Sequence, residues 1–246
     1  MIESFAIVLG VALLAAAAVL LKHRFWPLGP DEEPREDVAE YISMMVGVLY
    51  ALVLGLSLVS VWDARAGAED NTATEASAAH QIHLLAAGLP AGQADRMRDG
   101  IESYIRHVTD TEWPAMAEGA PLGTTGWQLL DRVRATGQVP PDATPAQQAT
   151  GQETLAQLSA LDEARRGREA GAEEQLSPVL WFGLIVGGVL TIAFMFMFGV
   201  QRSFTHVVMV MGLSGLITFT VLLIYQLDSP FDGLFAVDAT PFTRYF

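Results

Sequence analysis

Residues 41–69 read YISMMVGVLYALVLGLSLVSVWDARAGAE. The first 22 of them, Tyr41 to Trp62, contain no charge, no proline and nothing more polar than serine and tyrosine. As a helix they span about 33 Å, enough to cross the hydrocarbon core of a bilayer. From Asp63 the string runs on as a polar, alanine-rich helical pattern, with no breaker before Gly88-Leu89-Pro90. One rod that leaves the membrane and continues into water is therefore expected, and the other segments are placed around it.

Three more apolar blocks accompany this helix. Phe5 to Leu21 is preceded by Glu3 and followed by Lys22, His23 and Arg24. A signal peptide carries its positive charge before the apolar run, so this block reads as a retained membrane helix. Alanines 15–18 leave cleavage as the minor alternative, and Trp26 suits an interfacial anchor. Residues 26–40, WPLGPDEEPREDVAE, form a loop and a capped turn. Pro178 to Val200 holds 23 uncharged residues and Val207 to Tyr225 holds 19, so each is long enough to span. Glycines 183, 187, 188, 199, 212 and 215 allow close helix approach in these two blocks. Only Gln201 to His206 separates them, which makes a tight hairpin.

The polar middle has helical spacing broken by turns. A segment from Pro90 to about Glu118 carries Met97, Ile101, Tyr104, Ile105, Val108 and Met116, the three-and-four spacing of one buried face. Gly119 to Gly126 is a loop, and Thr125 is placed to cap a short helix with Trp127, Leu130 and Val133. Gln138 to Pro145 is a second loop. Ala146 to about Gln175 is a last helix, with Leu155, Leu158 and Leu161 as its stripe. The expected architecture is thus all-α: four transmembrane helices, with an antiparallel helical soluble insert between the second and third. Its parts are 1–62 (helices one and two), 63–177 (the insert), 178–226 (helices three and four) and 227–246 (an irregular, acidic and aromatic tail).

Composition narrows the function. There is no cysteine, so disulfides, thiolate metal sites and cysteine nucleophiles are absent. A net charge of −14 argues against nucleic-acid binding, which needs a basic face. No GxSxG, phosphate-binding glycine loop or HExxH occurs, and no ionisable acid or base lies within a span. Pumps and proton-coupled carriers need such intramembrane groups. A passive membrane protein, not an enzyme, is the expectation. Lys22, Arg24, Arg35 and Arg202 fall on one side of four crossings, and Arg65, Arg165, Arg166 and Arg168 on the other, so charge alone does not set orientation.

Leu52-Val53-Leu54-Gly55 followed by Ser57 to Asp63 (SLVSVWD) resembles the second membrane helix of bestrophins, with its FVLGFYV core. The order of parts agrees too: apolar helix, basic and aromatic exit, short acidic loop, this helix, helical insert, two-helix hairpin, then the turn Ser229-Pro230-Phe231-Asp232-Gly233. Glu112-Trp113-Pro114, the stretch Asp162-Glu163-Ala164-Arg165-Arg166 and the WD at 62–63 are more similar still to bacterial bestrophin-like membrane proteins, over essentially the whole chain. The resemblance implies a pentameric passive ion channel in the bacterial cytoplasmic membrane, with lipids, ions and its own copies as partners. It also places the insert and both termini in the cytoplasm. Helix two would line an apolar neck at Val48, Leu52 and Leu56, three positions on one helix face that can gate by dewetting. Two features depart from bestrophins. Leu49 replaces the proline before the neck core, and the acidic calcium-binding run is thinned to Asp228, Asp232 and Asp238, so no cofactor is expected.

Each candidate has a plainer alternative. Val48, Leu52 and Leu56 can face lipid or another helix. Asp63 and Arg65, the first charges past the membrane, can form rings at a pore exit or an ordinary interfacial pair. Arg165, Arg166 and Arg168 can bind lipid headgroups or be a solvated face paired with nearby glutamates. His80 and His83 share a helix face but lack a third metal ligand in sequence. Selectivity is open: the resemblance implies chloride, yet residues 63–177 hold 18 acidic against 9 basic side chains, which attract cations. The competing expectation is a non-conducting anchor or sensor whose insert binds a partner protein.

Overall fold

A computed structural model of the chain describes residues 36–197 and 204–245, with isolated positions 7, 10, 11, 13, 14, 17 and 21. Among the described residues all regular structure is helical. The helices are α1 (Glu36–Leu85), α2 (Ala91–His107), α3 (Trp113–Ala117), α4 (Thr125–Thr136), α5 (Pro145–Glu173), α6 (Pro178–Met197), α7 (Phe204–Leu227) and α8 (Thr240–Thr243). Three of them, α1, α6 and α7, are long and apolar enough to cross a membrane. The isolated positions in the first apolar block are all helical. The expected span Phe5 to Leu21 as a whole, the Trp26 anchor, the acidic loop and residues 201–203 of the hairpin turn lie outside the described residues.

Helix α1 is one element of 50 residues, about 75 Å long at 1.5 Å per residue. Nothing in it interrupts the backbone ladder, because it holds no proline and its glycines, Gly47, Gly55 and Gly67, stand singly. The chain divides into two compact units: Met1–Trp62 with Leu176–Asp228, and Asp63–Gln175 with Ser229–Phe246.

In the first unit, Val61, Leu184, Ile224 and Leu227 form the core, packed with Leu54, Leu58, Trp181 and Leu223. Tyr50 is buried against α6, where Gly187 and Gly188 leave room for its ring. Its hydroxyl donates to the Leu184 carbonyl at 3.1 Å, which satisfies a polar group that lipid cannot. Asp228 accepts from the Leu176 amide at 2.7 Å and from Trp181 Nε1 at 3.1 Å, binding the start of α6 to the end of α7.

The second unit has a larger core, including Ile82, Met97, Ile101, Tyr104, Leu130, Val133, Leu158, Leu161 and Phe242. The expected face of α2 is buried throughout, but the segment is not one helix. A π-turn, Val108–Glu112, separates α2 from α3. Pro114 explains it: proline has no N–H to give and its ring clashes with the carbonyl four residues back. The ladder widens instead, and the Trp113 amide donates to the Val108 carbonyl. Helix α4 begins at Thr125 with Thr124 as its cap, one residue before the expected position. Helix α5 opens with a capping box, in which Thr144 and Gln147 satisfy each other's amides ahead of Pro145. On α5, Leu158 and Leu161 are buried while Leu155 stays 36% exposed. The tail belongs to this unit: Phe231 and Val237 pack with Ala68 and Met116, and Phe242 is fully buried.

Candidate functional site

Two sets of residues can carry function. The first is the outward face of α1. Val48, Leu52 and Leu56 are 65%, 58% and 62% exposed, and nothing lies within 4 Å of a side chain built at Gly47 or Gly55. The helix thus presents an apolar strip that the described residues of the chain leave exposed. Asp63 is exposed as well. Arg65 is not its counterpart. Its Nε donates to the Phe235 carbonyl at 2.6 Å and its Nη1 to Glu69 at 3.0 Å. Two residues apart on a helix means about 160° apart around it, so the two expected exit charges do not share a face.

The second set lies inside the other unit. Arg165 and Arg168 on α5 have no exposed surface, nor has Glu75 on α1 or Tyr104 on α2, and Glu112 is 1% exposed. Arg168 grips Glu75 with a fork, Nε to Oε2 at 2.6 Å and Nη2 to Oε1 at 3.0 Å, and also reaches Glu112 at 2.9 Å. Arg165 grips Glu112 the same way, at 2.5 and 2.9 Å, and donates to the Tyr104 hydroxyl at 3.0 Å. Tyr104 in turn donates to Glu75. Trp127 lies 5.0 Å from the Arg165 guanidinium and Trp113 lies 5.7 Å from that of Arg168, positions favourable to a cation over an aromatic face. Two cations thus meet two anions in planar, bidentate geometry.

This arrangement corrects one expectation. Arg165, Arg166 and Arg168 do not form a headgroup-binding cluster: the first and third are buried in ion pairs, and only Arg166, with its side chain 69% exposed, faces water. The cause is spacing. Thr154, Leu158, Leu161, Arg165 and Arg168 follow one another at four and three residues, so both arginines fall on the buried stripe. Glu75 likewise shares a face with Ala68, Thr72, Ala79 and Ile82, all buried. The π-turn carries Glu112, whose side chain is almost wholly buried between the arginines. Gly126 completes the fit, since a Cβ there would come within 2.5 Å of a Glu112 oxygen.

The environment sets the charge states. Burial works to push the Glu112 carboxyl up, but the hydrogen bonds and charge of Arg165, then Arg168, outweigh it and hold it below the usual range. Burial also opposes charge on both arginines, yet Glu112 for Arg165 and Glu75 for Arg168 leave them more basic than usual. Burial first, and Glu75 second, push the Tyr104 hydroxyl well up, so it stays a donor. The network thereby favours charge on Glu112, Arg165 and Arg168 and a protonated Tyr104. It is suited to holding three helices in register, not to moving ions.

The remaining candidates are engaged locally. Asp228 closes the α6–α7 corner, Asp232 accepts from the Gly233 amide at 2.6 Å, and Asp238 accepts from the Thr240 amide at 2.8 Å. Among the described residues no group of three histidines, aspartates or glutamates is placed to hold a metal ion. His80 stacks on Tyr245 at 4.6 Å, and His83 lines a surface cleft with Glu102, Arg106 and Tyr245.

Comparison with known proteins places these features. A family profile described as a Bestrophin-like domain matches residues 9–242, nearly the whole chain. No curated protein and no solved structure matches.

Proposed function

The chain belongs to the bestrophin-like family, and on that premise we propose that it is a passive ion channel built as a homo-oligomer. Five copies in a bacterial cytoplasmic membrane surround a conduit lined by α1, with Val48, Leu52 and Leu56 as an apolar neck. The insert and both termini lie in the cytoplasm. The observation that supports this best is the apolar strip on α1 that the described residues leave exposed. A ring of large apolar side chains, repeated around an axis, gives a constriction that conducts when wet and closes when dry. No covalent chemistry is required of the chain, and the buried ion pairs keep the insert's helices in fixed register while ions pass.

The test is flux from reconstituted protein together with its size in mild detergent. A five-fold particle is expected, with a conductance that rises when Leu52→Ala and Leu56→Ala widen and wet the neck. Flux unchanged in both variants removes the neck from α1. A monomer without flux favours the alternative, a membrane anchor whose insert binds a partner. The observation on that side is the cleft lined by His83, Ile105, Arg106, Phe242 and Tyr245, which offers both apolar and charged groups to a ligand.

A further inference from the structure

The insert carries a cleft of about 460 Å³ that lies wholly within the unit of residues 63–175 and 229–246. That volume falls in the range of about 300–1,000 Å³ typical of small-molecule sites. Glu102, Ile105, Arg106 and Thr109 follow one another at three, one and three residues, so one face of α2, continued into the π-turn, makes one wall. His83 of α1 and Phe242 and Tyr245 of the C-terminal segment also line it. Ile105 and Phe242 are 5% and 0% exposed, so they give the cleft an apolar floor. Tyr245 is 44% exposed, and its ring is held by stacking on His80, with 4.6 Å between ring centres.

Glu102 precedes Arg106 by four residues, the spacing at which opposite charges on a helix pair. Arg65 and Glu69, at the same spacing, do pair, at 3.0 Å. Glu102 and Arg106 make no ion pair with each other or with any other described residue. Arg106 is exposed and Glu102 half-buried. A cation and an anion thus stand side by side along an apolar floor, with their Cβ atoms about 5–6 Å apart. The guanidinium offers a planar fork to a carboxylate, and the Glu102 carboxylate accepts from an ammonium. A purely anionic ligand would be repelled by Glu102, and a purely cationic one by Arg106. A molecule that carries both charges satisfies both.

The geometry points to this cleft as a binding site for a small zwitterion, an amino acid with an apolar side chain. Its carboxylate lies on Arg106, its ammonium on Glu102, and its side chain against Ile105, Phe242 and Tyr245. Because the lining comes from α1, α2 and the C-terminal segment, an occupant bridges all three and stabilises the folded insert by mass action. The site goes beyond the channel reading and does not depend on it, since every group named lies in the insert's own unit and binding requires neither a pore nor an assembly.

The experiment is a ligand-observed nuclear magnetic resonance titration of the full-length protein in detergent with L-phenylalanine. The wild type is expected to bind saturably, with a dissociation constant below about 1 mM. Glu102→Gln and Arg106→Gln should each weaken binding about tenfold or more, while the melting midpoint without ligand stays unchanged because neither side chain is paired or fully buried. Asp99→Asn, an exposed carboxylate on the same helix, should leave the affinity as it is. Hydrocinnamate, which lacks the ammonium, and phenethylamine, which lacks the carboxylate, should each bind the wild type about tenfold more weakly than L-phenylalanine. No saturable binding of L-phenylalanine, an affinity unchanged in either variant, or a single-charge analogue that matches the zwitterion overturns the inference, and conduction is untouched by any of these. A protein that binds as expected but passes no ions overturns the channel reading alone.

Discussion

The two units solve burial in opposite ways. In the unit containing α6 and α7, large apolar side chains point outward: Val179, Phe182, Val189 and Met209 are 79%, 69%, 62% and 62% exposed. Close contacts are made where glycine meets an aromatic ring. In the other unit the largest wholly buried side chains are two arginines. The contrast follows from solvent. Acyl chains are as apolar as leucine, so a membrane unit gains little by hiding leucine and relies on close fit. Water rewards hiding apolar surface, and the insert does so, yet it also takes charges inside and must pair every one. Its core is consequently less forgiving of a missing partner than of a missing methyl group.

The sharpest way to break that contrast is Arg168→Ala. Leaving Glu75 buried without its fork should cost about 3–5 kcal/mol, read from the denaturant midpoint of the full-length protein in detergent. A loss below about 1 kcal/mol, the size of an exposed pair, would mean the insert does not depend on its ions. Next is Gly187→Ala in the membrane unit. Its new methyl group would lie 2.5 Å from the Tyr50 ring, so overpacking should cost about 1–3 kcal/mol, seen as a lower melting midpoint. Were it tolerated, close fit would not be what holds that unit. The smallest effect belongs to Arg166→Gln. One residue from Arg165 but facing water, it should change stability by less than about 0.5 kcal/mol, and a larger loss would extend the buried network to the surface.

The membrane-capable helices were legible because an uncharged run of about twenty residues has few other uses. The apolar face of α2 was legible for the same kind of reason, spacing. The ionic core was not, although its signal was present: Arg165 and Arg168 continue the rhythm of Leu158 and Leu161, and Glu75 keeps step with Ala79 and Ile82. Residue type hid it, because arginine and glutamate are assigned to the surface unless partners are known, and these partners lie 53 and 93 residues away. The π-turn could have been suspected from Pro114, but not the carboxylate it would carry. Burial of Phe242 leaves no trace in local pattern at all, since the irregular stretch before it carries no periodic apolar face.

Trp113 stands where the two halves of the insert's story meet. Its indole lies over the Arg168 guanidinium and edge-on to both Phe231 and Phe242, at 5.4 and 5.8 Å. One chromophore therefore senses the ion pairs and the seating of the C-terminal segment together. With the other four tryptophans replaced by phenylalanine, its ultraviolet emission becomes a label-free gauge of whether that segment is seated.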